Sequence, residues 1–471
     1  MTALWTSTSA AAATGGRAVG PAWQAGGIVI DSRRAGPGDL FVALPGERTD
    51  GHDRLADAGD RGAAAAMVER THDLPARLPM LVVPDCVEAL ARLGTAARSR
   101  SAARVTAVTG SVGKTGTKDM LGRALAAFGE VEASSGNLNN HIGAPLSLAR
   151  MSERVVFGVF ELGMNHAGEI SPLSRLVRPH LAIITTVGPV HIGHFPDEEA
   201  IARAKAEIFD GMEPGGCAVL NRDNRWYSLL REAATRDTIS RVLTFGRHPG
   251  ADVRLVDARC DTTGSTVTVV IDGDRLTYRL DAVGEHWAAN SAGVLACVIG
   301  LGLDARRAAA AIRSVVPGRG RGAQLSVALA DGGSIRIVDE AYNASPVAMR
   351  AAFRVLADAR PGPGGRRVAV LGDMLELGTA ACRMHAGLVD DLMAAGPELV
   401  FTVGPLMEAL RVRLPSGVSA GHAETSAGIV EDVVATVRDG DVILVKGSLG
   451  TNMSPVIAAL EALARCAEGA G

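Results

Sequence analysis

Gly110-Ser111-Val112-Gly113-Lys114-Thr115 follows the apolar run Val105-Thr106-Ala107-Val108-Thr109 and precedes a helical pattern expected over 118–128. A strand, a glycine turn and a helix start form the setting in which backbone N–H groups and a helix N-terminus cradle phosphate. Lys114 is then placed to reach the β- and γ-phosphates, and the Thr115 hydroxyl to bind Mg2+. The loop is shorter than the usual G-x-x-x-x-G-K-[ST], so ATP binding is read from its setting as much as from its pattern.

Lysine is scarce in this chain. Lys114, Lys118, Lys205 and Lys446 are the only four lysines among 48 basic residues. Arginine is planar and effectively always charged, whereas a lysine amine can be made neutral and reactive. Lys118, one helical turn after Lys114, is equally well explained as a helix-surface charge. Lys205 sits in a helical pattern over 198–209, beside Glu207. It reads either as an exposed ion-pair partner or as an amine that takes up CO2 and becomes an anionic metal ligand. Glu161 ends the apolar run 155–160 and suits Mg2+; His191 lies in the loop after the run 181–186. A lone loop histidine is ordinarily solvated, but this one shares a sheet end with the phosphate loop.

The elements that position these groups imply an α/β chain of three domains, about 150 residues each. Residues 1–103 read as a small α/β module with short strands near 27–30, 39–44, 63–68 and 80–83, after a short helix capped by Thr6 or Ser7 and ended by Gly15-Gly16. Residues 104–316 alternate strands at 105–109, 155–160, 181–186, 218–220 and 242–245 with helices, which predicts a mostly parallel sheet. Three antiparallel strands (253–256, 265–271 and 275–280) and a helix over 287–299 close this segment. After a glycine-rich linker at 316–322, residues 317–471 read as a Rossmann-like α/β domain. Its strands at 335–338, 367–371, 399–403 and 442–445 lead to Gly372-Asp373, Gly404 and Lys446-Gly447-Ser448 at their carboxyl ends, where such sheets bind ligands.

Composition narrows the function classes. A net charge of −3 and 3% aromatic residues offer neither a basic field nor a stacking platform for nucleic acid. No apolar run reaches the roughly 18 residues of a membrane span. Cys86, Cys217, Cys260, Cys297, Cys382 and Cys466 are widely spaced, as expected of reduced thiols in a cytosol.

The chain resembles the Mur ligases, the ATP-dependent amide-forming enzymes of peptidoglycan precursor synthesis. Beyond the phosphate loop, the resemblance rests on Asp31-Ser32-Arg33, Pro37 through Glu47, Gly136 through Pro145, and Glu161 through Glu169. It continues through Gly284-Glu285-His286 with Asn290, Asp339 through Pro346, Gly372 through Gly378, and Lys446-Gly447-Ser448. These motifs look most like those of the members that add D-alanyl-D-alanine to UDP-N-acetylmuramoyl-tripeptide. The resemblance implies a UDP-binding first domain, a phosphate-loop ATPase domain and a Rossmann-like third. It also implies a cytoplasmic monomer, two Mg2+ ions, and an acyl phosphate that is then aminolysed.

Carried over by position, Lys114, Glu161, His191 and Lys205 are the catalytic set. Thr115, Glu161, His191 and a carbamylated Lys205 are the metal ligands. Gly110 through Thr115, His286, Asn290 (base), Arg319 (phosphate) and Asp339 (ribose) contact the nucleotide. Ser32, Arg33, Asn140, Tyr342, Asn343 and Asp373 serve the substrates. Three positions depart from the family pattern: Gly116 replaces a common Ser or Thr, Trp287 a common Asn, and Leu449-Gly450-Thr451-Asn452 a stretch that often holds Arg. The alternatives are a ligase adding the third amino acid, a folylpolyglutamate synthase, or a phosphate-loop ATPase that is not a ligase.

Overall fold

The computed structural model describes residues 3–46, 49–71, 78–136, 138–330 and 332–468, with side chains as far as Ala464. Glu47 and Asn137, which belong to two of the quoted motifs, fall outside the described residues, and of Cys466 only the backbone is described. Among the described residues the strands form three large sheets and one two-stranded pair. The first large sheet has five strands: Arg17–Val19, Met80–Val82, Ala65–Val68, Asp39–Val42 and Gly27–Val29, in that spatial order. All its pairings but the first are parallel. The opening helix, Ser7–Thr14, is capped by the Thr6 side chain and ends at Gly15 in the left-handed region, as its sequence predicts.

The central sheet has nine strands. Val131–Ala133, Phe157–Glu161, Arg104–Thr109, Leu181–Ile184, Gly216–Asn221 and Ile239–Gly246 run parallel, side by side. The strand Val253–Asp261 continues in parallel, and Gly264–Ile271 and Asp274–Leu280 fold back antiparallel as expected. The strands Arg104–Thr109 and Phe157–Glu161 are buried along nearly their whole length, the pattern of a sheet covered on both faces. Both therefore deliver their last residues, Thr109 and Glu161, to the same sheet end. The third sheet has six strands, ordered Ala323–Ala328, Ser334–Glu340, Val442–Lys446, Arg367–Gly372, Leu399–Val403 and Ser419–Ala423.

The α/β class and the sequence of elements agree with expectation. Four edge strands escaped it, Arg17–Val19, Val131–Ala133, Ala323–Ala328 and Ser419–Ala423, as did the two-stranded pair Trp5–Thr6 with Gln24–Ala25. Ser-Ala-Gly-His-Ala carries no β-branched run, and is recruited by pairing with Leu399–Val403. The phosphate-loop helix starts at Lys114, not Lys118, because left-handed Gly113 caps it. The helix of Lys205 ends at Ala206 and tightens into a 3-10 turn over Glu207–Gly211.

The helix Glu285–Gly300 is buried on most sides between the phosphate-loop helix and the central sheet. This packing joins two departures from the family pattern. A Cβ at Gly116 would stand 2.9 Å from the Trp287 ring, and Trp287 is 6% exposed. The large ring fits because the facing position has no side chain. Gly116→Ser is therefore expected to destabilise the protein by about 1–3 kcal/mol through overpacking. A thermal melt checks this: the loss should shrink when the same change is made beside Trp287→Asn, and an equal loss in both backgrounds would refute the pairing.

Candidate active site

The phosphate loop is held from below by the segment that follows Leu181–Ile184. Gly110 has φ 151°, and a Cβ there would lie 1.9 Å from Thr185 Oγ1, so this position requires glycine. Thr185 Oγ1 donates to the Val112 carbonyl at 2.6 Å. Ser111 Oγ donates to the Gly188 carbonyl at 2.9 Å and accepts from Gly188 N–H at 3.0 Å. Gly113 (φ 83°) leaves room for Asn290, whose amide oxygen would be 2.9 Å from a Cβ. Asn290 thus abuts the loop itself. Lys114 Nζ donates to the Gly110 carbonyl at 2.8 Å. Burial lowers its pKa, Glu161 opposes the shift, and the nearby Arg321 adds to it.

Glu161 is 2% exposed, and both carboxylate oxygens are engaged. Thr115 Oγ1 donates to one at 2.7 Å and Asn139 Nδ2 to the other at 2.7 Å. The Glu161 backbone N–H donates to Ser134 Oγ at 2.8 Å. Lys118 supports this arrangement from behind, which corrects its reading as a surface charge. It is 3% exposed, and its Nζ donates to the Ser134 carbonyl at 2.7 Å and pairs with Asp119 at 2.9 Å. The chain Lys118–Ser134–Glu161–Thr115 links one lysine to the carboxylate. Lys118→Met keeps the stem but strands the Ser134 carbonyl, a loss of about 1–3 kcal/mol. Through Glu161 it should lower kcat by roughly 10–100-fold in a steady-state ATP titration, with the far-ultraviolet circular dichroism unchanged. Wild-type kcat would show that the link does not matter.

Lys205 is 3% exposed, and burial, followed by the field of Lys114, drives its pKa well below the usual lysine value. The ion-pair reading does not hold: Glu207 instead accepts from Gly168, Ile170 and Ser171 N–H at 2.7, 3.1 and 3.1 Å. The surface pair on that helix is Arg203 with Glu199. His191 is half-buried in the left-handed region (φ 59°), and its Nδ1 meets the carboxylate of Glu376 from the third sheet's loops. Burial lowers the His191 pKa, Glu376 opposes this, and Lys114 and Lys205 reinforce it. Lys114 and Lys205 thus both lie within reach of one imidazole. Among the described residues, no three His, Cys, Asp or Glu side chains cluster in a way that could hold a metal. The Thr115–Glu161 oxygen pair beside a phosphate loop nevertheless fits Mg2+, which takes one or two carboxylates plus substrate phosphates rather than an all-protein cage.

The remaining expected contacts are spread unevenly. His286 is half-buried with its pKa lowered by burial; Glu340 opposes the shift and Lys446 reinforces it. Asp339 is 3% exposed and accepts from Gly320 and Ala341 N–H at 2.8 and 3.2 Å. Arg319 pairs with Glu461 at 2.6 Å. The arginine near Lys114 is Arg321, stacked 3.9 Å from the Tyr342 ring centroid. Lys446 is 1% exposed and donates to Glu340 at 3.2 Å and to the Asn343 carbonyl at 2.9 Å, fixing the loop of Tyr342 and Asn343.

Ser32 is buried, while the exposed Arg33 guanidinium is paired with Asp31 at 2.8 Å. Asn140 Oδ1 accepts from Ile142 and Gly143 N–H at the start of a helix. Asp373, expected at the substrate, gives its carboxylate to Leu406 and Met407 N–H at 3.3 and 2.8 Å. The sequence offers no signal for Arg321 or for the burial of Lys118, because neither lies at a motif position whose neighbours are close in the chain.

Residues 25–100, 108–298 and 320–449 match, respectively, the descriptions Mur ligase family, catalytic domain; Mur ligase middle domain; and Mur ligase, glutamate ligase domain. The chain is 34% identical, over 444 residues, to the UDP-N-acetylmuramoyl-tripeptide--D-alanyl-D-alanine ligase of Escherichia coli (strain K12), covering 93% of this chain and 94% of that one. The crystal structure of MurF from Acinetobacter baumannii superposes with a TM-score of 0.83 at 31% identity, covering 97% and 98% of the two chains. MurF ligase from Thermotoga maritima in complex with ADP gives 0.77 at 27% identity, covering 94% and 98%.

Proposed function

The chain belongs to the Mur ligase family, and on that premise we propose that it ligates D-alanyl-D-alanine to UDP-N-acetylmuramoyl-tripeptide with ATP. The observation that carries this reading is the likeness, over nine-tenths of both chains, to the ligase so named. It is joined to a phosphate loop whose Lys114, Thr115 and Glu161 stand together. The tripeptide carboxylate attacks the γ-phosphate, giving an acyl phosphate and ADP. The dipeptide amine then attacks the acyl carbon, and phosphate leaves.

Phosphoryl transfer needs positioning and charge stabilisation more than covalent help. The loop N–H groups and the Lys114 ammonium face the phosphates; Gly110 and Gly113 let the backbone come close. Asn290 steadies the loop, and Asp339 organises the backbone at Gly320. Thr115 and Glu161 would hold one Mg2+, and His191 with a carbamylated Lys205 a second; bound there, they would offset phosphate charge as it redistributes. Burial favours the neutral form of the Lys205 amine, the form that takes up CO2. Ser32, Arg33 and Asn140 lie on the sugar-nucleotide side in this reading, with Tyr342, Asn343 and Asp373 shaping the dipeptide side.

The three functional units are 1–103, 104–316 and 317–471, in a cytoplasmic monomer. No helix among the described residues is long and apolar enough to cross a membrane. Product mass after incubation with ATP, a panel of UDP-muramoyl peptides and single or paired D-alanines tests the assignment. The pentapeptide product is expected only when both the tripeptide and the dipeptide are present. Preference for a single amino acid would overturn it, and phosphate release without either substrate would point to an ATPase instead.

A further inference from the structure

Two residues from different domains sit in the left-handed region and touch: His191 (φ 59°) and Glu376 (φ 61°). Neither is glycine, and such strain persists where surrounding structure enforces it, often at functional sites. The contact is double. The Glu376 carboxylate meets His191 Nδ1, and the Glu376 carbonyl accepts from Gly193 N–H at 2.9 Å. The two backbones approach so closely that a Cβ on Gly193 would stand 2.8 Å from Gly378 N.

The loop that carries Glu376 is fastened to its own domain. Leu375 N–H donates to Ser448 Oγ at 3.0 Å, and Met374 N–H meets His385 Nε2 at 2.9 Å. Leu377 is buried beside it. The third domain therefore presents Glu376 as a stiff finger to the central domain's histidine.

We propose that Glu376 is a positioning residue that orients the imidazole of His191 only while the third domain is docked, so that closure completes the metal site. A carboxylate on Nδ1 fixes the proton there, turns the ring and leaves the Nε2 lone pair free as a ligand. Gly193 is the hinge contact that lets the finger seat. The idea rests on His191 serving as a metal ligand for the ligase reaction.

The test measures Mn2+ affinity by electron paramagnetic resonance in the presence of ATP, alongside ligation kinetics, for wild type, Glu376→Ala, Glu376→Gln, Gly193→Val and His191→Ala. Glu376→Ala should weaken Mn2+ binding about tenfold and lower kcat by roughly 10–100-fold, with the KM for ATP nearly unchanged. Glu376→Gln, which can still accept from Nδ1–H, should recover most of both. Gly193→Val leaves the carboxylate intact yet should reproduce the Glu376→Ala loss, and the double variant should be no worse than either single one. Wild-type Mn2+ affinity in Glu376→Ala, or additive losses in the double variant, would overturn the proposal. Unchanged Mn2+ affinity in His191→Ala would instead remove the ligand assignment on which it rests, and a wild type that does not ligate would remove the function.

Discussion

Lys205→Arg is expected to lose ligation by a factor of about 100–1,000, the scale of removing one preorganised electrostatic group from an active site. The amine is almost wholly enclosed, and burial favours its neutral form. A guanidinium cannot become neutral there or take up CO2. It would place an uncompensated cation beside Lys114, whose field already reaches this position. Because that charge also threatens folding, Lys205→Met is the companion variant: it keeps the apolar stem, should melt close to wild type, and should be equally inactive. Wild-type enzyme assayed in CO2-free buffer should lose activity and regain it with bicarbonate. Full activity in Lys205→Arg, or indifference to bicarbonate together with an active Lys205→Met, would end the carbamate assignment.

Glu161→Gln should lower kcat by a similar factor, about 100-fold or more, while leaving the fold nearly untouched. The glutamine amide can still accept from Asn139 and meet the Thr115 hydroxyl, so the two hydrogen bonds of the carboxylate have neutral replacements. What is lost is the charge. Glu161 is the group that opposes the depression of the Lys114 pKa, so its neutralisation lets that depression deepen and removes an oxygen anion suited to Mg2+. Ligation kinetics with a parallel melt separate the two effects. A variant with normal kcat, or one that fails to fold, would contradict the division of labour read from these contacts.

The legible parts of this protein are those in which chemistry and chain order coincide. The phosphate loop is a local motif: strand, glycines and helix start lie within about a dozen residues, so its structure follows from its own sequence. Gly110 shows why: the residue type reports a backbone need that Thr185 only makes visible. Glu161 stands out because it ends a strongly apolar strand. The burial of Lys118 is not legible in the sequence because its acceptor, the Ser134 carbonyl, belongs to the turn after a three-residue edge strand with little signature. Asp373 is named by its motif, but only the fold shows its carboxylate holding the backbone N–H groups of Leu406 and Met407.

The sequence alone determined the α/β class, the order of elements, the nucleotide loop and the family, since each depends on local patterning or on motifs that keep their spacing. Tertiary structure alone decided which of the four lysines are buried, that Trp287 requires Gly116, that Arg321 lies near Lys114, and that Glu376 reaches His191 across 185 positions of chain. Burial, desolvation and hydrogen-bond partnership belong to pairs of residues brought together by packing. The spacing of residues along the chain does not encode those pairs, whereas the folded sheets and the docked third domain fix them.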